Sequence, residues 1–456
     1  MKRNIKRILK LLLVALFIYT VIFIWMILPI VTGYGAKTLC SGIFVCGHNP
    51  TNIIKAELGS FPSNMGSYSV DMKGSSVTAS IFGLAKRKAV FRKGLGATLV
   101  VGMSEQELRE EAITINLSQY IHQDTLCWPQ ENQLIDITSK SIDKQQLGSA
   151  LTEAFKDSNT QRPNGTRAIV VVYDGQMINE RYAKGYSAST VQSGFSMAKS
   201  IMNALIGILV KQGKLDINSP APVSQWKNDK RKLITIANLM QMNSGLRWSE
   251  FPFGPSGFTN MLFKEKDMAE FAISAPSEYN PGIIFNYSSG SSAILSHIIH
   301  HTLGDSNYYR FPYEQLFFKI GMFSAIMEVD PAGTFVGSNY TFATARDWAR
   351  FGLLYLNDGI WNGERILPEG WINFTTKPSG AKTNSSRGAY GASWWLNSTH
   401  TYPNVPADCF SCQGYGGQYV WVIPSKKLVV VRLAFDQESA FSPDIFLSGI
   451  IKALPE

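Results

Sequence analysis

The sequence of 456 residues predicts an α+β fold preceded by one transmembrane helix. Strand-like segments lie at both ends of the stretch from residue 151 to 456, and helical patterns fill most of the residues between them. Because such terminal strands can pair with each other, we expect one antiparallel sheet flanked by helices, with a helical subdomain beside it. A separate apolar run near the N-terminus predicts the membrane helix.

The composition limits the classes to which the protein can belong. Apolar residues make up 45% of the chain and charged residues 17%, which excludes a disordered, collagen-like or disulfide-scaffold protein. The net charge is +9, but five of the 43 basic residues precede residue 11, leaving 38 against 34 acidic residues. Nucleic-acid binding needs a basic face, and this small remainder argues against it.

The apolar run from Leu11 to Val31 contains 21 residues and no charge. About 20 apolar residues cross the roughly 30 Å hydrocarbon core, whereas the apolar part of a cleavable signal has about 7–15. Gly33-Tyr34-Gly35 is only a weak cleavage site, so we expect an uncleaved signal anchor, with cleavage as the alternative. Residues 1–10 are basic and should stay in the cytoplasm, which places residues from about 37 onward outside it, in the periplasm of a two-membrane bacterium.

Residues 37–150 are of mixed composition and carry no cluster of chemically active residues, so we interpret them as an accessory N-terminal region. An extracytoplasmic location permits disulfides, and Cys40 and Cys46 are close enough in sequence to form a local bridge. Cys409 and Cys412 form a C-x-x-C in a predicted loop before a strand, a context that does not favour redox chemistry, and Cys127 stands alone.

The first half of the main domain begins with a hairpin and a helix. Residues 168–173 and 176–182 are strand-like, and Asp174-Gly175 between them suits a type I′ turn. A helix follows from about Ser196 to Gln212, and Gly213 is the residue type that commonly ends helices.

The second half returns from helix to sheet. Residues 230–370 are mainly helical, and the clearest amphipathic stretch is Ala343 to Leu356. Tyr419 to Ile423 and Leu428 to Leu433 are strand-like. Ser442-Pro443 then suits the start of a last helix, with serine as N-cap and proline as its first residue.

The leading catalytic candidate is the S-x-x-K formed by Ser196 and Lys199 at the start of the predicted helix. Residues three apart share a helix face, so the amine can reach the hydroxyl. Serine is a weak nucleophile without a neighbouring base, and a partly buried lysine can serve as that base. The free N–H groups of the helix N-terminus suit an oxyanion. A second S-x-x-K, Ser141 to Lys144, lies in a polar run and is not favoured.

Two later segments add to this candidate. Tyr287 lies in Asn286 to Ser289 before a helix rich in small residues, where a tyrosine can relay a proton. Gly414 to Gln418 leads into the C-terminal strand, and its glycines allow a backbone to approach a ligand closely. Each segment alone has an ordinary structural explanation, but the three occur in order.

Together these motifs resemble the serine β-lactamase and penicillin-binding-protein family, in its class C-like branch. The family carries S-x-x-K, then Y-x-N or Y-x-S, then a glycine on a strand, and the matching residues here are Ser196 and Lys199, Tyr287 and Ser289, and Gly414. Serine in the second motif is similar to the 6-aminohexanoate-dimer hydrolases and related esterases. The resemblance covers about residues 151–456, which we take as the hydrolase domain.

The resemblance implies a serine hydrolase that needs no cofactor and acts on a small-molecule or peptide ester or amide. It implies the following roles: Ser196 as nucleophile, Lys199 as base, Tyr287 as proton relay, the N–H groups of Ser196 and Tyr415 as oxyanion hole, and Ser289, Gly414 and Trp394 as substrate-binding residues. Cys412 stands where the family usually has a lysine or histidine. Because that cation helps to hold a lactam carboxylate, its absence argues against efficient β-lactamase activity.

Alternative interpretations are weaker. Gly194 to Ala198 partly matches the serine motif of α/β-hydrolases, but the only late histidine, His400, lies in an unsuitable loop. His297 and His301 are four apart on a predicted helix, yet no third metal ligand is evident, so no metal is expected. A catalytically silent module that binds cell-wall peptide or a protein partner stays possible. Linear amides, esters, D-peptides and lactams all stay open as substrates, as does the oligomeric state.

Overall fold

The computed structural model describes residues 2–111, 128–129, 142–156, 165–383, 387–436 and 441–455. Cys127 and Ser141 lie outside the described residues. The N-terminal part consists of a long helix and a four-stranded antiparallel sheet in the order β1-β2-β3-β4. Its elements are α1 (Lys2–Phe44), α2 (Pro50–Glu57), β1 (Gly66–Asp71), β2 (Ser76–Ile81), β3 (Leu84–Arg92), β4 (Gly96–Leu99) and α3 (Glu105–Glu110).

The main domain combines a large sheet with helices. Its strands are β5 (Thr166–Tyr173), β6 (Gln176–Tyr182), β7 (Gln192–Ser193), β8 (Ile326–Met327), β9 (Thr341–Ala343), β10 (Ile360–Trp361), β11 (Glu364–Arg365), β12 (Ala389–Tyr390), β13 (Trp395–Leu396), β14 (Phe410–Gly414), β15 (Gln418–Ile423) and β16 (Leu428–Ala434). Its helices are α4 (Lys144–Ala154), α5 (Ala198–Lys211), α6 (Ile236–Met240), α7 (Gly257–Lys264), α8 (Met268–Ile273), α9 (Ser289–Leu303), α10 (Asp305–Tyr308), α11 (Ala345–Leu356), α12 (Trp371–Thr376) and α13 (Pro443–Ile451). Short 3-10 helices cover Ser63–Met65, Phe195–Met197, Ser224–Trp226, Lys230–Leu233 and Pro424–Lys426, and a π-helix covers Tyr313–Phe317.

The main sheet has seven strands in the order β12-β13-β14-β15-β16-β5-β6, and neighbouring strands are antiparallel. The predicted pairing of the two chain ends is confirmed, because β16 pairs with β5 and Val429 lies opposite Val172. The predicted hairpin is also present, and both Asp174 (φ +49°) and Gly175 (φ +76°) have the positive φ that a type I′ turn requires. The sequence therefore predicted the α+β architecture correctly.

The sheet is buried on both faces. Along β16, Val429, Val431 and Leu433 join the large core that also contains α5 and α11, whereas Leu428 and Val430 join a second core. This second core is closed by α4 and α13. Because side chains alternate between the faces of a strand, a run of apolar residues is what such a strand needs.

The helix that carries the S-x-x-K runs through the centre of the domain. It begins with the 3-10 turn Phe195–Met197, continues as α5, and is followed by Gly213 with φ +69°. Every residue from Ala198 to Leu209 is buried. The first turn is therefore held by packing around the whole helix.

Helix α1 is longer than the sequence predicts. Its side chains are exposed from residue 4 to residue 26, as a membrane span would be, but residues 30–33 and most of the following residues are buried in the protein. Small residues allow this packing, since Gly33 lies against Phe263 and a Cβ at Gly35 would overlap the ring of Tyr68. It is the one helix of the described part that is long and apolar enough to cross a membrane.

The local bridge that the spacing of Cys40 and Cys46 allowed is not formed, because both are free thiols. The unpredicted extension of α1 explains this result. Cys40 lies inside the helix and is fully buried, whereas Cys46 follows the helix end. Burial raises the pKa of the Cys40 thiol to about 12.

A buried ion pair joins α1 to the main domain. Lys37 pairs with Glu328, and both side chains are almost inaccessible to solvent. The carboxylate also accepts hydrogen bonds from Ser41 Oγ (2.9 Å) and the Ala97 N–H (2.7 Å), while Lys37 donates to the Ala97 carbonyl. Burial raises the pKa of the Glu328 carboxyl, and the nearby lysine opposes this effect. Three parts of the chain thus meet at one carboxylate.

Replacing Lys37 by Met should destabilise the protein strongly, because Glu328 would stay buried without its cation. Loss of one partner of a buried pair typically costs about 3–5 kcal/mol. Thermal unfolding of the detergent-solubilised full chain would measure this. The double variant Lys37→Met/Glu328→Gln should recover part of the melting temperature because it removes the uncompensated charge.

The matched control is Lys88→Met, which breaks the half-exposed pair between Lys88 and Glu105. Exposed pairs contribute roughly 0–1 kcal/mol, so this variant should melt close to the wild type. Equal melting temperatures for Lys37→Met and Lys88→Met would contradict the structural role of the buried pair.

Candidate active site

Ser196 lies in a constrained turn at the N-terminal end of α5. The preceding residue, Phe195, has a φ of +46°, a conformation that is rare for residues with a side chain. The turn is held by hydrogen bonds from the Gly194 N–H to the Thr341 carbonyl (2.8 Å) and from the Met197 N–H to the Gly194 carbonyl (3.0 Å). Ser196 is half-buried in this arrangement, with the buried helix behind it.

Lys199 is fully buried and lies within reach of Ser196. Its Nζ is 3.3 Å from Ser196 Oγ, 3.2 Å from Ser289 Oγ and 3.0 Å from the Ser338 carbonyl oxygen. These three oxygens surround the amine, which donates to Ser289 Oγ and to the Ser338 carbonyl. The lysine is therefore fixed beside the serine, as the spacing predicts.

Tyr287 lies on the other side of this lysine. Its ring centroid is 4.8 Å from Lys199 Nζ, and the side chain is half-buried. The ring stacks on Trp395 at a centroid distance of 5.7 Å and meets Tyr390 edge-on at 5.9 Å. Two aromatic neighbours thus hold the tyrosine at the Ser–Lys pair.

The end of β14 lies against the serine turn. A Cβ at Gly414 would overlap the carbonyl oxygen of Gly194, so only glycine allows this close approach of two backbones. The next residue, Tyr415, places its ring 5.7 Å from that of Phe195. Residues 196 and 415, whose N–H groups were predicted to form an oxyanion hole, are therefore brought to neighbouring positions.

Comparison with known proteins shows the family. The family model described as Beta-lactamase matches residues 151–444. The chain belongs to the beta-lactamase family. The 6-aminohexanoate-dimer hydrolase of Paenarthrobacter ureafaciens is 22% identical over 294 residues, which cover 59% of this chain and 72% of that protein.

Solved structures agree with this membership. A Bacillus anthracis protein assigned to the 6-aminohexanoate-dimer hydrolases has a TM-score of 0.54 and 26% identity, over 64% of this chain and 81% of that one. A family VIII carboxylesterase has a TM-score of 0.53 and 15% identity, over 70% of this chain and 99% of that one. The predicted fold and the predicted class, a serine hydrolase, are confirmed.

Two residues predicted to bind substrate are fully buried in this beta-lactamase family member. Ser289 lies beside the Ser–Lys pair, where its Oγ donates to Glu250 and accepts from Lys199. Trp394 is also fully buried, in the core, where its ring packs 4.5 Å from that of Tyr355. Its neighbour Trp395 is the tryptophan that contacts Tyr287. Because β13 begins between them, adjacent residues point to different surroundings.

Glu250 is a site residue that sequence reasoning missed. Its carboxylate accepts hydrogen bonds from the Ser289 N–H (3.0 Å), from Ser289 Oγ and from Trp248 Nε1 (2.6 Å). The carboxylate thus lies at the N-terminus of α9, where a negative charge is favourable. Its loop carries no motif of its own, so the sequence offered no signal for it.

The third motif contains no cation at the predicted position. Cys412 lies within β14 and is almost completely buried, and burial raises the pKa of its thiol well above the usual range. Cys409 is likewise a buried free thiol, which does not suit redox chemistry at the surface. In the described ranges, no three side chains of the metal-binding types come together; the rings of His297 and His301 lie 6.3 Å apart.

Gly414→Ala should reduce kcat/KM for a small chromogenic ester at least about 100-fold, because the added Cβ must displace the turn that carries Ser196, and a shift of 1 Å can cost this much. The matched control is Gly148→Ala in α4, where a Cβ would meet no other atom. That variant should retain wild-type activity. Wild-type activity in folded Gly414→Ala would show that the close approach is not needed.

Proposed function

We propose that this serine hydrolase acts outside the cytoplasm, anchored to the membrane by α1, and cleaves an ester or amide through an acyl-enzyme on Ser196. The observation that carries the proposal is the position of Lys199 Nζ, 3.3 Å from Ser196 Oγ with the Tyr287 ring beside it. A nucleophile, a base and a relay group in contact are the parts that acyl transfer needs.

In the first half of the reaction, Ser196 Oγ bonds to the substrate carbonyl carbon as Lys199 accepts the hydroxyl proton. Tyr287 then donates its proton to the leaving oxygen or nitrogen as the bond to the carbonyl carbon breaks, and it regains a proton from Lys199. In the second half, Tyr287 takes a proton from water and passes its own proton to Lys199, while the water oxygen attacks the acyl carbon. The bond from this carbon to Ser196 Oγ then breaks, Lys199 returns the proton to Ser196 Oγ, and the acid is released. Every proton that leaves a residue returns to it.

The negative charge on the substrate oxygen needs donors during both steps. We assign this role to the backbone N–H groups of Ser196 and Tyr415, because Gly414 brings the two segments together. Preorganised N–H groups of this kind are typically worth about 2.7–4 kcal/mol each to the transition state. The Gly194 to Ser196 turn and the end of β14 would then act as one unit.

Ser289 and Glu250 take a positioning role in this proposal. Ser289 Oγ lies between the Lys199 amine and the Glu250 carboxylate, with one hydrogen bond to each. This chain of bonds fixes where the amine points without requiring contact with the substrate. It also keeps the carboxylate one residue away from the amine, so that the lysine is not locked into a direct ion pair.

The altered third motif bears on the substrate. With a buried cysteine where the family usually has a lysine or histidine, the position offers no charge for a lactam carboxylate. Two relatives are named as 6-aminohexanoate-dimer hydrolases and a third as a carboxylesterase. We therefore propose a linear amide or an ester, of a small molecule or a peptide, as the substrate class.

Ser196→Ala should abolish labelling by a fluorophosphonate probe and reduce turnover by at least about 10⁴-fold, as loss of an acyl-transfer nucleophile does. Peptide mapping of the labelled wild-type chain should find one adduct, on Ser196. Ser141→Ala, which removes the serine of the other S-x-x-K, is the control and should label normally. An adduct on another serine would contradict the proposed nucleophile. No adduct on folded protein would favour a silent binding module.

The packing of α1 supports an anchor that is not cleaved. The weak cleavage site, Gly33 to Gly35, lies in the middle of a continuous helix, against Phe263 and Tyr68. Cleavage there would also remove Ile30 and Val31, which are buried against the body of the protein. We accordingly propose the uncharged residues 11–29, which are exposed or half-buried, as the membrane span, about 28 Å at 1.5 Å per residue, with the basic residues before them on the cytoplasmic side. Residues from 30 onward then belong to the extracytoplasmic structure.

Intact-mass measurement of the C-terminally tagged protein, purified from membranes, should give the mass of the whole chain. The protein should also stay in the membrane pellet after extraction with sodium carbonate, because a transmembrane helix is not released by it. A soluble protein that begins at residue 36 would contradict the anchor. Replacing Leu16 by Arg within the span is the control that should weaken membrane retention.

A further inference from the structure

The accessory sheet β1–β4 lies lengthwise along α1, so its two ends sit at different heights on that helix. At one end, Thr32 Oγ1 donates to the Ala85 carbonyl (2.7 Å), next to the turn between β2 and β3. At the other end, the ring of Phe44 stacks on Phe91 at 5.8 Å, and the Phe91 N–H donates to the Ser75 carbonyl in the turn between β1 and β2. The sheet therefore spans α1 from residue 32 to residue 44.

The end at Thr32 is close to the apolar, exposed part of α1. Residue 29 ends the proposed span, and Thr32 is three residues further on, about 4.5 Å along a helix. The headgroup layer of a bilayer is about 5–8 Å thick on each side of the hydrocarbon core. With residues 11–29 in the hydrocarbon, the turn between β2 and β3 is at the height of this layer.

Large apolar side chains are exposed at this end of the sheet. Phe82 (77% exposed) lies in the turn between β2 and β3, and Leu84 (51%) is the first residue of β3. The register places Gly66 opposite Ile81, which brings the segment before β1 to the same end, with Phe61 (78%) and Met65 (40%). We call these four residues the apolar rim. Exposed apolar side chains gathered at one end of a small sheet need a partner to cover them.

Cationic side chains stand just behind the apolar rim. Lys86 and Arg87 follow the turn in β3, and Lys264 ends α7 next to Phe263, which packs on Gly33 of α1. Burial and the nearby Arg87 lower the pKa of the Lys264 amine. Anionic phosphate groups would relieve this repulsion between like charges, and apolar side chains with cations behind them are the pattern of an interfacial membrane contact.

We propose that the apolar rim inserts into the interfacial layer of the same bilayer that α1 spans, with Lys86, Arg87 and Lys264 facing the lipid phosphates. This inference rests on the proposed anchor. It gives the accessory region a function, because a second contact beside the helix prevents the domain from rotating and tilting freely on the membrane.

The test uses the full chain in vesicles of phosphatidylcholine and phosphatidylglycerol, with an environment-sensitive NBD probe attached to one introduced cysteine. Phe82→Cys samples the rim, Phe17→Cys samples the proposed span, and Met72→Cys is the matched control. Met72 is also apolar and exposed (64%), but it lies in the turn at the opposite end of the same sheet. The wild-type chain treated with the probe gives the background from its own cysteines.

Lipids with a doxyl quencher near the headgroup should lower NBD emission at residues 17 and 82 at least about twofold, and leave residue 72 nearly unchanged. A deeper quencher should favour residue 17 over residue 82. Quenching at 17 but not at 82 would overturn this inference and leave the anchor intact. Equal quenching at 72 and 82 would also overturn it, and no quenching at 17 would overturn the anchor and the inference together.

Discussion

The site depends on the burial of one lysine amine. Lys199 is almost completely shielded from water, so each N–H must find an acceptor inside the protein. The acceptors come from different parts of the chain: its own helix, the start of α9 and the carbonyl of Ser338. The hydrogen bonds of one buried amine thus hold the helical subdomain and the central helix in a fixed relation. Glu250 extends this relation to a further loop through Ser289.

The N-terminal region is held by a buried carboxylate in the same way. Glu328 is a buried anion whose partners, Lys37, Ser41 and the Ala97 N–H, belong to α1 and β4. Glu328, which directly follows β8, therefore contacts both elements. The ring centroid of Tyr340 also lies 4.2 Å from the Lys37 amine. Tyr340 is two residues from Ser338, whose carbonyl accepts a hydrogen bond from Lys199, so this junction is close to the active site. Accessory region and catalytic domain share a core.

Features that depend on local sequence were predictable. The S-x-x-K spacing predicted the contact between Lys199 and Ser196, Asp174-Gly175 predicted the hairpin, and Ser442-Pro443 predicted the start of the last helix. Each of these features depends on a few neighbouring residues. Features that depend on distant contacts were not. No residue near Glu250 in the sequence indicates that Ser289 contacts it. The alternation of side chains at the start of β13 places Trp394 in the core and Trp395 at the site.

The full length of α1 was not predictable for a related reason. Hydropathy shows where the apolar run ends, at Val31, but it does not show that the helix continues. The continuation is held by packing against protein, and its buried residues include the polar Thr32, Lys37 and Ser41. With α1 in a bilayer, no flexible tether separates the membrane from the hydrolase. The catalytic centre would then work at a set height above the lipid, and its encounters would be governed by what diffuses within that thin layer. The rate of substrate supply would depend on the number of substrate molecules per membrane area more than on their bulk concentration.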